Sequence, residues 1–283
     1  MPPYSSSATQ ALEVLGTRLR EIRVDAGLTG RGLAALAGWH SSKVSKIEHA
    51  KQAPTPDDIK AWCQHCGAPA EAPELIASLR AVEGMFVDWR RMERTGLKLA
   101  QESVNPLWER TRRFRIYSGW LIPGPIQTGG YISALLTSIM ARRDLPDDIE
   151  AATQVRIERQ HVVRQPHRKF AIILEESVLR FRIGGVDTMA AQLGHLLTIS
   201  TLPTVSVGVI PLDANRSAIW PTEGFFIYDD EQVAVELVSG YLTITQPREV
   251  AMYADTFSMF SKQAVHGAAA RQLIATAINA LDS

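Results

Sequence analysis

Between His40 and Lys51 the chain reads His-Ser-Ser-Lys-Val-Ser-Lys-Ile-Glu-His-Ala-Lys. Serine hydroxyls in such a stretch can hydrogen-bond base edges or phosphate oxygens. Lysine ammonium groups supply the phosphate attraction that dominates affinity for nucleic acid. Val44 and Ile47, three residues apart, mark the buried stripe of a short helix, which leaves Ser41, Ser42, Lys43, Ser45 and Lys46 outward. Other reactive residue types do not assemble into a site. Cys63-Gln-His-Cys66 has half the ligands a zinc ion wants; a second pair is missing and His49 is the nearest candidate. Two partly buried thiols are the expectation there. His161, His167 and His195 have no Ser or Cys partner in a catalytic motif, and no GxSxG, HExxH or Gly-rich phosphate loop occurs. Glu175-Glu176 ends a strand and is expected to be solvated surface. No catalytic residue, metal or cofactor is expected, and the chain is read as a non-enzyme.

The elements that must position the His40–Lys51 stretch are short helices. Leu12, Leu15, Leu19 and Ile22 recur at helical spacing, with Arg18, Glu21 and Asp25 on the opposite face. Gly27 ends that helix, because glycine takes the left-handed conformation cheaply. Thr29 is an N-cap for a second helix carrying Leu33, Leu36 and Ala37 inward. Gly38 breaks the chain, and His40 or Ser41 starts the third helix. Gln52-Ala-Pro-Thr-Pro56 is a loop, and a fourth helix from about Asp57 carries Ile59 and Trp62. Two short helices joined by a glycine turn, with polar residues at the outer N-terminal end of the second, satisfy the requirements of a helix-turn-helix.

The residues Leu19-Arg20, Gly27-Leu28-Thr29, Leu33-Ala34, Gly38, Val44-Ser45-Lys46-Ile47-Glu48 and Pro54-Thr55 together resemble the λ-repressor-like (XRE family) helix-turn-helix over roughly residues 12–67. The resemblance implies binding of double-stranded DNA in the major groove. It implies that Ser41, Ser42 and Lys43 approach bases and phosphates, that Lys46 is the polar position of the next turn and that Glu48 is structural; Thr29, Arg31, Ser45 and Lys51 complete the expected DNA-binding residues. Three positions depart from the family's usual residues: Gly30 and Ser41 stand where Gln is common, and Ala50 where Gly is common. The first two shorten the reach toward DNA. If Lys43 and Lys46 both touch phosphates, replacing both with Ala flattens the log–log salt dependence by about two.

Beyond Pro73 a helical stripe of Leu75, Leu79, Val82, Phe86 and Trp89 reads as a connector packing on a second domain. Strands are expected at 114–117, 170–174 and 205–210. A hairpin is expected from 225–228 and 233–238 about the turn 229–231, with an edge available for dimerisation. Helices are expected at 131–140, 146–164, 186–200, 248–265 and 268–281. Pro123-Gly-Pro125 is read as a turn exposing Gln127-Thr128, the alternative being that the pair lines a pocket; Arg156, Arg159, Arg164 and Arg168 are read as a solvated face, the alternative being an anion or partner contact. Trp89-Arg90, Ile122-Pro-Gly-Pro-Ile-Gln-Thr128, Arg156, Arg159-Gln160, Glu175 and Ile183-Gly184-Gly185 resemble the domain of unknown function that follows such modules in actinobacterial, WhiJ-like, antitoxin-like regulators.

The chain is thus read as multidomain. A disordered tail at 1–10 precedes an all-α helix-turn-helix domain at 11–72, a connector at 73–103 and an α+β domain at 104–283 that senses a partner or ligand. The bulk properties agree. Of 283 residues, 46% are hydrophobic and 21% charged, which suits a globular chain with a core. No apolar run reaches the ~18–20 residues of a membrane helix. Net charge is zero, but residues 1–115 hold 17 Lys/Arg against 13 Asp/Glu, a mild basic surplus in the N-terminal part of the chain, where a binding module would be. The expected protein is a cytoplasmic, nucleoid-associated homodimer that regulates transcription. It binds DNA and an unknown small-molecule effector or small partner protein; the alternative is an antitoxin-like adaptor that neutralises such a partner.

Overall fold

Caps and left-handed residues set where the N-terminal helices stop and start. The computed structural model describes residues 6–84, 86–94 and 96–281; the side chains of 6–9, 80–84, 86–88 and 90–91 lie outside that description. Helix α1 spans Ser6–Asp25, α2 Gly30–Ala37, α3 Ser41–Glu48, α4 Pro56–His65 and α5 Ala72–Gly84. Gly27 and Gly38 both sit at positive φ, 69° and 68°, closing α1 and α2 as their sequence positions imply. Thr29 caps α2 by accepting from the Gly32 amide at 3.0 Å. Thr55 and Asp58 form a reciprocal capping box that opens α4. The helix expected from Ala11 begins at Ser6, inside the stretch expected as tail; residues 1–5 lie outside the description.

These helices enclose one core of Leu12, Leu15, Leu19, Ile22, Leu33, Ala34, Val44, Ile47, Ile59 and Trp62. Burying each large apolar side chain stabilises by about 1.5–3 kcal/mol before entropy is counted. Trp62 also donates its indole N–H to the Leu19 carbonyl at 2.9 Å. Leu75 and Leu79 belong to the same core, so α5 completes the helical unit. Val82 and Phe86 lie outside the described side chains.

Two compact units result, Met1–Val87 with Leu242–Ile244, and Asp88–Tyr241 with Thr245–Ser283. After a short strand β1 (Phe86–Asp88), the second unit opens with short helices α6 (Trp89–Glu93), α7 (Leu97–Glu102) and α8 (Asn105–Arg110). Its strands are β2 (Arg113–Ser118), β3 (Lys169–Glu175), β4 (Val205–Ile210), β5 (Phe225–Tyr228), β6 (Gln232–Glu236) and β8 (Val265–His266); of β7 (Gly240–Ile244), Leu242–Ile244 falls in the first unit. Its longer helices are α9 (Gly129–Arg143), α10 (Ile149–Arg159), α11 (Val186–Ile199), α12 (Pro247–Gln263) and α13 (Gly267–Asn279).

The α+β expectation holds for a mixed sheet, whose central strands run β6-β5-β2-β3-β4-β8. Strands β2, β3 and β4 are parallel, and helices α9–α10 and α11 cross over between them. Parallel strands need such long helical connections, whereas the β5–β6 hairpin closes through Asp229-Asp-Glu231. Phe114 and Phe170 face each other in register, and their rings stack at 4.2 Å. After β6 the chain turns back, and the Leu237 N–H is donated to the Gly240 carbonyl at 2.8 Å.

Three expectations about polar residues fail here. Gln127 is buried rather than exposed, and its amide donates to the Ile122 carbonyl at 2.6 Å. Glu175 and Glu176 are buried rather than solvated. Glu175 accepts from the Tyr117 hydroxyl at 2.8 Å and pairs with Arg216; Glu176 pairs with Arg180 at 3.0 Å and accepts from the Leu212 amide. The two carboxylates diverge, so they form no acid–base dyad. The expected arginine face is also not solvated. Arg159 and Arg168 are buried, Arg156 is half-buried, and only Arg164 stands in solvent. Arg168 donates to the carbonyls of Trp108, Thr111 (2.7 Å) and Glu109 (2.7 Å), which ties the end of α8 to β3.

Candidate nucleic-acid interface

Helix α3 is held by its neighbours at three places. Val44 and Ile47 are each 1% exposed against Leu33 and Ala34 of α2. The second α2 anchor is Ala34, not Leu36. Leu36 is 54% exposed, and the buried residues of α2 are Leu33 and Ala34. Glu48 clamps Arg23 of α1 through two bonds of 2.6 and 3.0 Å, and Arg23 also reaches the Leu28 carbonyl at 2.7 Å. That bears out Glu48 as a structural residue. The third hold is backbone on backbone: a Cβ at Gly16 would lie 2.7 Å from the Ile47 carbonyl oxygen, so only glycine lets α1 approach the end of α3 this closely.

The start of α3 is capped by His40, whose Nδ1 accepts from the Ser42 amide at 3.3 Å and lies 2.8 Å from the Ser42 hydroxyl. Ser41, Ser42, Ser45 and Lys46 then stand exposed on the face away from the core, and Thr29, Arg31 and Lys51 are exposed nearby in sequence. Among the described residues Arg31, Lys46 and Lys51 make no ion pair. Their charges are available to an outside anion. The Thr29 hydroxyl is occupied by its cap, and the Ser42 hydroxyl by His40.

Lys43 behaves differently. Its ammonium bonds Asp58 at 2.6 Å and lies 4.6 Å above the Trp39 ring, with its side chain 28% exposed. Burial alone raises the Asp58 carboxyl, but Lys43 and the Thr55 backbone and hydroxyl together hold it below the ordinary carboxylate value. Lys43 therefore ties α3 to the start of α4. The Thr55-to-Asp58 spacing of a capping box was the sequence signal for Asp58.

Gly30 leaves a gap beside α3: a Cβ there would meet only Val44 Cγ1, at an ordinary 3.5 Å. Ala50 sits at φ 51°, in the left-handed region, at the position where the resembled family carries glycine. The Cys63 thiol is fully buried in α4 and pushed up to about 11, first by burial and then by the Glu71 charge and Cys66. Such an environment disfavours the thiolate that metal binding or exchange chemistry requires. His161 is taken up by Glu109 at 3.3 Å and the Glu158 carbonyl, and burial lowers His195. Among the described residues no helix is long and apolar enough to cross a membrane.

A family described as a helix-turn-helix domain matches residues 14–75. No curated protein matches the chain. A solved archaeal chromatin protein, TrmBL2, described as showing a novel mode of DNA binding, is 13% identical over 85% of this chain and 88% of its own. Its TM-score of 0.32 is too low to carry an argument. The family described as Domain of unknown function (DUF5753) matches residues 108–276, more than half of the chain, and the protein belongs to that family.

Proposed function

We propose that the protein is a sequence-specific DNA-binding transcriptional regulator of the XRE type. The reading rests on one observation: α3 buries Val44 and Ile47 while Ser41, Ser45 and Lys46 stand in solvent, with Arg31 and Lys51 also free of ion pairs among the described residues. A fixed helix with a polar outer face meets the major-groove requirement, and unpaired cations meet the phosphate requirement. Ser41 and Ser45 are the candidates for base-edge contacts; Arg31, Lys46 and Lys51 for phosphates. Since an eight-residue helix reads few bases, the functional unit is a homodimer spanning two half-sites, with the C-terminal unit sensing a ligand or partner. In vitro selection of random DNA with the full chain should enrich a two-fold repeat whose half-sites lie about one helical turn apart. Fragments bound without any enriched motif would contradict sequence-specific reading.

A further inference from the structure

A cavity of about 220 Å³ lies within the C-terminal unit, and its chemistry is unusual. Arg156 and Arg159, three apart on α10, both line it. Neither makes an ion pair among the described residues. Arg159 is 7% exposed, yet its partners are neutral: the Gln101 carbonyl at 2.6 Å, Asn105 Oδ1 at 3.2 Å and Gln101 Oε1 at 3.2 Å. Its Nε is buried with no hydrogen-bond partner at all. Arg156 likewise reaches only the amide oxygens of Gln101, at 2.9 Å, and Gln127, at 3.2 Å.

Elsewhere this chain treats buried arginines differently. Arg23, Arg115, Arg143, Arg168 and Arg216, with side chains at most 23% exposed, each pair with a carboxylate. A buried guanidinium without a counter-charge is costly, and burial with repulsion from Arg156 pulls Arg159 down to about 10. The residues that keep this arrangement in place, Gln101 and Gln127, accept from the arginines without neutralising them. An anion from outside would supply what is missing.

The rest of the lining says what kind of anion. The Arg159 guanidinium stacks 4.6 Å over Trp108, and Tyr228, Tyr241 and Phe226 continue the wall as aromatic surface. Tyr228, pushed up to about 12 by burial, keeps its proton and can donate. Glu236, exposed on the same lining, offsets part of the positive charge, and Arg143 is already neutralised by Glu93 at 2.5 Å. One surplus positive charge remains. For size, a cavity of about 150 Å³ accommodates benzene, so this one has room for a single ring with a short acidic substituent.

We propose that this cavity is a ligand site for a small monocarboxylate with a flat apolar body, its carboxylate on Arg156 and Arg159 and its body against Trp108 and the tyrosines. The proposal deepens the sensing role given above to the C-terminal unit, but the binding it predicts needs no DNA. Calorimetric titration of the full chain, without DNA, with benzoate, benzyl alcohol and inorganic phosphate tests it. Benzoate should saturate with a Kd on the order of 1 mM or tighter. Benzyl alcohol, which lacks the charge, and phosphate, which lacks the apolar body, should each bind at least about tenfold more weakly, as loss of a charge-assisted contact implies. Arg156→Gln should weaken benzoate by about tenfold or more. Because that variant alters a half-buried residue, the exposed Glu236→Gln serves as a second, fold-neutral probe and should tighten benzoate severalfold by removing the competing carboxylate. The idea is overturned if folded wild-type protein shows no benzoate saturation, if benzyl alcohol or phosphate binds equally well, or if Glu236→Gln leaves the affinity unchanged. None of these results bears on whether α3 binds DNA, and failure of DNA selection would leave them untouched.

Discussion

The two units carry their cations in opposite ways. In the helix-turn-helix, Arg31, Lys46 and Lys51 stand in water with no acidic partner among the described residues, where an unpaired charge costs little. In the C-terminal unit Arg159 and Arg168 are buried, and their partners are mostly carbonyl and amide oxygens. An exposed lysine can wait for a phosphate without straining the fold. A buried guanidinium must be built into it, as Arg168 is by three carbonyls, or be left asking for an anion, as Arg159 is. Lys43 belongs with the second kind although it sits on α3, because Asp58 and Trp39 hold it.

That contrast breaks most sharply at Arg168. Arg168→Ala leaves three carbonyls at the end of α8 without their donor and should destabilise the C-terminal unit by about 3 kcal/mol, read from urea unfolding. Arg31→Ala in the other unit should change stability by less than about 0.5 kcal/mol. If both cost the same, the distinction between built-in and waiting cations is wrong. Lys43→Met falls between them. It strands the Asp58 carboxylate and should cost the helical unit about 1–2 kcal/mol. The Asp58 carboxyl is lowered by folding, so its contribution is full above the unfolded carboxylate pKa, about 3.9, and fades as pH falls through its lower folded value. Lys43→Met should therefore lose stability near neutrality and much less at acid pH; an equal loss at both would place Lys43 outside the pair. The smallest effect is expected at Ala50. Glycine relieves its positive φ, at some entropic cost, so Ala50→Gly should stabilise by about 0.5–1 kcal/mol in a thermal melt. A loss of stability there would contradict the strain.

How much of this was legible follows the range of each cause. Gly27, Gly38, Thr29 and the pair Val44–Ile47 act within a few residues, and spacing alone located the helix-turn-helix and its outward face. Glu48 was placed through resemblance and finds its partner Arg23 twenty-five residues away. Leu36 misled, because a leucine at helical spacing looks buried, yet the smaller Ala34 meets α3. The ion pair of Lys43 did not show either: its partner sits fifteen residues on, in a helix whose approach angle no periodicity reveals. In the larger unit most strands and helices fell near their expected places. The parallel centre of the sheet did not show, since pairing between β2, β3 and β4 is set by crossovers of dozens of residues. Charged residues are rarely buried. A row of arginines on α10 therefore reads as surface until the short helices α7 and α8, with Gln101, Asn105 and Trp108, are seen to cover it.

The central claim is that α3 meets DNA through free cations and not through the tied one. Its most direct measurement is the salt dependence of DNA binding by fluorescence anisotropy, for the full chain and two variants. Each phosphate contact contributes about 0.9 to the log–log slope. Lys46→Ala with Lys51→Ala should flatten that slope by about two, while Lys43→Ala leaves it unchanged. A slope that Lys43→Ala flattens and the double variant does not would contradict the account.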